Sequence, residues 1–231
     1  MMIWQIIVVA FAAYLIGSIN PAIIIGYMLK KEDIRTKGSG NAGTTNVLRT
    51  IGKGAAVVVL LLDVFKAVLA ILLAKWISGF GAYSEADFAL LRDYSLMAAS
   101  MGVILGHNWP IYYDFKGGKG VATSLGVILM LEWRIGLICL LFALVLIISS
   151  RMVSLGSISA AILYPVLVLV LETTAFSNKW LYVGFATILA LFVLVRHRAN
   201  IRRLIDGNEN KIWKTKAEKL QEKVAEKAEQ K

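Results

Sequence analysis

The chain is short of most of what builds a soluble domain. Its 231 residues contain one cysteine, Cys139, which excludes a disulfide framework. Charged residues make up only 17%, against roughly a quarter in ordinary soluble domains, and hydrophobic residues reach 58%. Such a composition excludes intrinsic disorder. With 15 acidic residues against 25 Lys and Arg, it also excludes an acidic interaction tail. No internal repeat is visible, which counts against transporters assembled from inverted repeats. What is present in excess is apolar sequence, with a mean hydropathy of +0.70, and a net charge of +10. That charge fits either nucleic acid or a membrane, and its distribution decides between them.

Charge is missing from long stretches. Residues 1–29 carry none, nor do 94–113 and 152–171. A hydrocarbon core of about 30 Å needs about 20 helical residues. The expected fold is therefore all-α: a polytopic integral membrane protein with seven transmembrane helices at about 3–29, 54–76, 92–107, 119–132, 134–150, 153–172 and 180–197. The fourth is short, and Glu132-Trp133-Arg134 is expected to make a tight turn after it. One uninterrupted helix there would bury two charges near its middle, which lipid penalises. Asn20-Pro21 should break the first span and leave a polar notch facing the bundle. The first run is too long, and too weakly charged at its start, for a cleaved signal peptide.

The cations give the orientation. With seven spans and the amino terminus outside, 20 of the 25 Lys and Arg fall on the cytoplasmic side, as the positive-inside rule requires. Trp4, Trp76, Trp133 and Trp180 fall at outer ends, where indole prefers to sit. The carboxyl terminus is then cytoplasmic, and most of the +10 is a topological signal with no need of nucleic acid. Residues 1–210 read as one membrane catalytic domain and 211–231 as a basic, Lys/Glu-rich cytoplasmic tail.

Polar chemistry gathers on the inner side. Lys37–Arg49 combines Gly38, Gly40 and Gly43 with Ser39, Asn41, Thr44, Thr45 and Arg49. The glycine spacing matches a dinucleotide fingerprint, but no strand precedes it and no βαβ unit fits between two spans. Glycines let backbone N–H groups approach an anion, and Arg49 offers a fork to phosphate or carboxylate; a polar turn with an interfacial arginine has the same composition. Gly106–Thr123 carries Gly117, Gly118, Lys119 and Gly120 where the fourth span begins, a cation at a helix amino terminus. It is not a Walker A loop, because Gly120 follows Lys119 where Ser or Thr is needed. The other reading is glycine for close packing with a snorkelling lysine. Ser154 lies beside Gly156 in a third segment, and His197 and Asn200, three apart, share a helix face in a fourth. Asp63 and Lys66, also three apart, read as a structural ion pair inside the membrane, with a proton or ion relay as the other use.

These segments, in this order, resemble the three inner motifs of the bacterial acyl-phosphate:glycerol-3-phosphate acyltransferases: GSGNAGTTNVLR at 38–49, GHNWPIYYDFKGGKGVAT at 106–123 and HRANIRRLIDGNE at 197–209. The likeness runs from the first span to about residue 213. It implies a seven-span enzyme of phospholipid synthesis in the bacterial cell membrane, with its active site on the cytoplasmic face. It implies acyl transfer from acyl phosphate to the 1-hydroxyl of glycerol 3-phosphate, giving lysophosphatidic acid and phosphate without cofactor or metal. By the same resemblance, Lys119 and Arg49 should hold phosphates within a cradle of Ser39, Gly40, Asn41, Thr44, Thr45, Gly117, Gly118 and Gly120. Ser154, His197 and Asn200 should orient glycerol 3-phosphate.

The residues agree with this reading by themselves. Two phosphorylated substrates account for two cationic glycine-rich segments, and an acyl tail accounts for their place at a lipid interface. There is no His-x4-Asp motif, since Tyr112 and Arg202 stand five positions after the two histidines, and no G-x-S-x-G elbow. Cys139 lies mid-span, so a covalent acyl-enzyme is not expected. A permease for an anionic solute shares the cationic loops but would distribute polar residues through the depth of several spans. A scaffold for anionic lipid would not require two glycine-rich loops. For the proton acceptor, His197 and the substrate's own phosphate both stand open.

Overall fold

The computed structural model describes residues 3–81, 84–171, 173 and 175–213, and among these it contains ten α-helices, two 3-10 turns and no strand. The tail from residue 214 lies outside the described residues. The first apolar run is two helices, α1 (Ile3–Ser18) and α2 (Pro21–Lys30). Pro21 opens α2, and Asn20 caps it by accepting the Ile23 N–H at 3.2 Å. Then come α3 (Thr44–Thr50), α4 (Lys53–Ser78), α5 (Glu85–Asn108), α6 (Val121–Leu131), α7 (Trp133–Ser150), α8 (Val153–Val170), α9 (Lys179–Arg196) and α10 (Arg198–Ile205).

Six helical segments among the described residues are long and apolar enough to cross a membrane: Ile3–Lys30, α4, Glu85–Tyr113, α7, α8 and α9. Helix α6, with 11 residues, spans about 16 Å and falls short of that length. The expected turn after it is present: Glu132 ends α6 and α7 starts at Trp133. Two boundaries differ from the sequence expectation. Helix α5 starts at Glu85 and not at 92, because Ser84 caps it by accepting the Asp87 N–H at 3.2 Å, and Glu85 and Asp87 favour a helix amino terminus. Helix α6 starts at Val121 and not at 119, because Gly120 takes a left-handed φ of +77°.

Small residues set the core. Helices α1 and α5 meet where Ala13 and Gly17 face Gly102, Val103 and Gly106, and a Cβ on any of these glycines would collide with the opposite backbone. Such contact lets helices associate closely in lipid, where apolar side chains alone give no preference for protein over solvent. Outward-facing Phe11, Leu61, Val145, Val170 and Leu191 are exposed on the isolated chain, as expected of surfaces that meet hydrocarbon. Trp4, Trp76, Trp133 and Trp180 are all well exposed at helix ends. Gln5 ties the start of α1 to the end of α4, donating to Ile77 O at 3.1 Å and Phe80 O at 2.9 Å.

Candidate active site

Three polar segments, distant in sequence, line one cavity of about 690 Å³ at the end of the bundle opposite Gln5. The first precedes and includes α3. Gly38 and Gly40 take left-handed φ of +58° and +71°, open to glycine at no steric cost. Buried Asn46 holds this loop in shape: its amide donates to Ile34 O at 2.9 Å and Lys37 O at 3.0 Å, and its Oδ1 accepts the Ser39 N–H at 2.8 Å. Asn20, in the notch, donates to Ala42 O at 3.3 Å. Ser39, Gly40, Asn41, Thr44, Thr45 and Arg49 all line the cavity, and Arg49 Nη2 donates to Asn210 O at 3.2 Å.

The second segment folds back on the end of α5. The Gly117 and Gly118 N–H groups donate to Asn108 O at 3.2 Å and His107 O at 3.0 Å. A Cβ on Gly118 would strike the His107 ring and the Ala42 carbonyl, so glycine is required for the two loops to close on each other. Lys119 and Gly120 line the cavity; Gly117 and Gly118 do not, and act through loop shape. Arg196 latches the loop, with Nη2 donating to Gly118 O at 2.6 Å and its guanidinium over the Trp109 ring at 5.0 Å.

The third segment is the junction of α9 and α10. His197 Nδ1 lies 2.8 Å from Val193 O. A carbonyl only accepts, so Nδ1 carries the proton and Nε2 keeps a free lone pair. Lys119 Nζ donates to Asn200 Oδ1. Asn200 in turn donates to Glu209 Oε1 at 2.9 Å, and Arg203 donates to Glu209 Oε2 at 3.0 Å. Ser154, in the first turn of α8, and Thr44 present buried hydroxyls that line the cavity without a partner in the protein, and such groups favour a polar ligand.

Burial and the neighbouring Arg203, Arg196 and Arg49 push the Lys119 ammonium down to about 8, against the pull of Glu209. Burial, with Lys119 close by, pushes the His197 imidazole down to about 4. Burial also lowers Arg49, which still keeps its charge in a protein. The mouth is thus strongly cationic beside a neutral imidazole. Below it the cavity becomes apolar, between Leu125 and Ile128 of α6, Cys139 and Ala143 of α7, Ala160 of α8 and Leu189 of α9.

A charged cluster supports the site from within the bundle. Lys66 Nζ lies 2.9 Å from Asp63 Oδ1 and from His107 Nδ1, and donates to Gly17 O and Ile19 O at 3.0 Å each. His107 Nδ1 lies 3.1 Å from the same Asp63 Oδ1, so ammonium, imidazole and carboxylate meet at one point, with the Gly17 and Ile19 carbonyls as the further acceptors of Lys66. Asp63 and His107 reach the cavity wall; Lys66 stands behind them.

A family model described as glycerol-3-phosphate acyltransferase matches residues 7–207. The chain belongs to the glycerol-3-phosphate acyltransferase family. Relatives bearing that name include one from Shouchella clausii (strain KSM-K16), 44% identical over 94% of this chain and 100% of its own length. Another, from Synechococcus sp. (strain CC9902), is 46% identical over 86% of this chain and 91% of its own. The fold is similar to crystal structures of PlsY (YgiH), an integral membrane glycerol 3-phosphate acyltransferase. Its glycerol 3-phosphate form matches with a TM-score of 0.74 and 34% identity over 89% of this chain and 94% of that one. Its lysophosphatidic acid form matches at 0.72 and 33% over 91% and 94%.

This glycerol-3-phosphate acyltransferase is an integral membrane enzyme of phospholipid biosynthesis. Three residues of its site were not singled out from the sequence: His107, Arg196 and Glu209. Each was inside or beside a segment already recognised. Their partners lie elsewhere in the chain, at Asp63 and Lys66, at Gly118, and at Asn200 and Arg203, and local spacing does not reveal such pairings.

Proposed function

We propose that this chain transfers an acyl group from acyl phosphate to the 1-hydroxyl of glycerol 3-phosphate, releasing inorganic phosphate and 1-acylglycerol 3-phosphate (lysophosphatidic acid). The observation that carries this reading is one cavity with two chemistries: a mouth with Lys119, Arg49 and free hydroxyls, continuous with an apolar shaft among four helices. Phosphate suits the first and an acyl chain the second. In this reading Lys119 and Arg49 neutralise the phosphates. Ser39, Gly40, Asn41, Thr44, Thr45 and Gly120 complete the cradle, while Gly117 and Gly118 shape it. Ser154, His197 and Asn200 orient glycerol 3-phosphate.

Chemistry then proceeds by direct attack. The hydroxyl oxygen bonds to the acyl carbon, the bond from that carbon to the phosphate oxygen breaks, and phosphate leaves with the electron pair. A mixed anhydride needs little further activation, so positioning and charge stabilisation supply most of the catalysis. The hydroxyl proton goes to the phosphate of glycerol 3-phosphate. Burial and Lys119 hold the His197 imidazole well below its ordinary value, whereas a phosphate monoester has a second pKa near 6, and this favours the phosphate as the acceptor. His197 Nε2 is left to accept the hydroxyl hydrogen bond and aim the oxygen.

We further infer seven crossings with α6 as the short one, the amino terminus outside and the cavity mouth on the cytoplasmic face of the bacterial cell membrane. The distribution of Lys and Arg supports this arrangement. The deciding experiment supplies purified protein in lipid with palmitoyl phosphate and labelled glycerol 3-phosphate. Phosphate and lysophosphatidic acid should form in equal amounts, and phosphate release should require glycerol 3-phosphate. Acylation from palmitoyl-CoA but not from palmitoyl phosphate would overturn the donor.

A further inference from the structure

The shaft has a closed end. The residues farthest from the mouth along each wall helix are Ile128 on α6, Cys139 on α7, Tyr164 on α8 and Leu189 on α9, and all four are buried. Behind Tyr164 stands an aromatic plug. Its hydroxyl donates to Tyr182 Oη at 3.3 Å, and the two rings meet edge to face at 6.3 Å. Phe176 packs on Tyr182 at 4.7 Å and on Phe185 at 5.8 Å. Tyr164, Tyr182 and Phe185 are each no more than 2% exposed, so a chain tip reaching them meets packed rings that have little room to yield.

The depth is measurable in methylenes. Tyr164 stands ten residues along α8 from Ser154, about 15 Å at 1.5 Å per residue. An extended hydrocarbon chain with bonds of about 1.5 Å advances about 1.25 Å per carbon, so about twelve carbons fill that depth. We propose that Tyr164, held by the Tyr182–Phe176–Phe185 plug, is the length gauge for the acyl chain: chains of about twelve carbons lie straight in the shaft, and longer ones fit only by folding within it. This rests on the acyl-transfer reading above. The competing path is lateral, because Leu60 and Leu144 on the shaft wall are also exposed on the outer surface and mark a side exit into lipid.

Two measurements test the gauge, one of them independent of the donor. Cys139 is the only cysteine of the chain and sits in the wall near the closed end. Methyl methanethiosulfonate should modify it through the cavity. An octanoyl chain, about 10 Å long, stops short of the floor, whereas a lauroyl chain of about 15 Å reaches it. Lauroyl and palmitoyl lysophosphatidic acid should therefore slow the labelling about tenfold or more, and the octanoyl form by less than about twofold. Equal protection by all three, or none from the palmitoyl form, would overturn the gauge. The second measurement compares kcat/KM across lauroyl, palmitoyl and stearoyl phosphates. Tyr164→Ala should raise the stearoyl-to-lauroyl ratio about tenfold. Tyr164→Phe keeps a ring at the floor and should keep the parental order. An unchanged ratio in an active Tyr164→Ala protein would favour the side exit and sink the proposal. If the parent used no acyl phosphate at all, the donor assignment would fall, while the Cys139 protection series would still decide the gauge.

Discussion

Lys119 is the residue on which the site's electrostatics turn, because it is the cation most easily switched off. Its depressed value of about 8 means that the free enzyme loses this charge just above neutrality. In the proposed mechanism glycerol 3-phosphate acts as its dianion, as partner for the cations and as base, and that form is present above about pH 6. The sign follows for both limbs: kcat/KM should fall below about pH 6 as the substrate gains a proton, and fall again above about pH 8 as Lys119 loses one. Lys119→Arg keeps a cation that does not titrate, so steady-state rates across pH should show the alkaline limb removed even if activity is lower overall. An alkaline limb unchanged in that variant would assign it to another group. His197, already neutral throughout this range, should add no limb of its own, and His197→Ala should lower kcat by roughly 10–100-fold, at the low end of what a true general base contributes. A loss well beyond 10³-fold at saturating substrate would instead make the histidine the base. Lys119, Arg49 and Asn200 were legible in the sequence because glycine and amide residues cluster around the first two and a helical spacing pairs the third with His197. Glu209, which Asn200 and Arg203 share, was not, because its role depends on how the chain after α10 turns back at Gly207, with φ of +70°.

At the scale of elements, the site depends on how closely α1 approaches α5. Gly106 faces Tyr14 O and Ser18 N, both backbone atoms that no rotamer change can move aside. Gly106→Leu should force the pair apart, displacing the Gly17 and Ile19 carbonyls that Lys66 holds, and with them the notch that ties down the first loop. Overpacking of this kind costs about 1–3 kcal/mol, or about 2–12 °C in melting midpoint for a chain of this size. Gly184, in α9 with nothing near its missing side chain, gives the control: Gly184→Ala should melt as the parent does. Thermal unfolding in detergent, followed by circular dichroism, measures both. The helices themselves were legible because lipid demands long charge-free runs, and Asn20-Pro21 marked the notch directly. Their starts were less so. Hydropathy ends at Arg92 whereas α5 continues outward to its Ser84 cap, and nothing apolar in the sequence distinguishes Gly120, in its left-handed turn, from the helix that follows.

For the whole molecule, the crossing number is a question of parity, and α6 holds the answer. If α6 did not cross, α7, α8 and α9 would each run the opposite way through the bilayer, and His197 and Asn200 would emerge on the face away from the two glycine-rich loops. Yet Lys119 donates to Asn200, and Arg196 donates to Gly118, so the three segments share one face. This shared face supports the seven crossings proposed above, with α6, about 16 Å long, as the short one. The Gly117 and Gly118 N–H groups before it are both bonded to carbonyls of α5, as backbone next to lipid requires. In a Cys139→Ser background, single cysteines at the exposed positions Lys37 and Arg198 should be labelled together by a membrane-impermeant maleimide from the cytoplasmic side. Cysteines at Glu85 and Lys179 should be labelled only from the other. If Lys37 and Arg198 reported opposite faces, α6 would not be a span; if all four reported one face, the bundle could not be a membrane-spanning one with this connectivity.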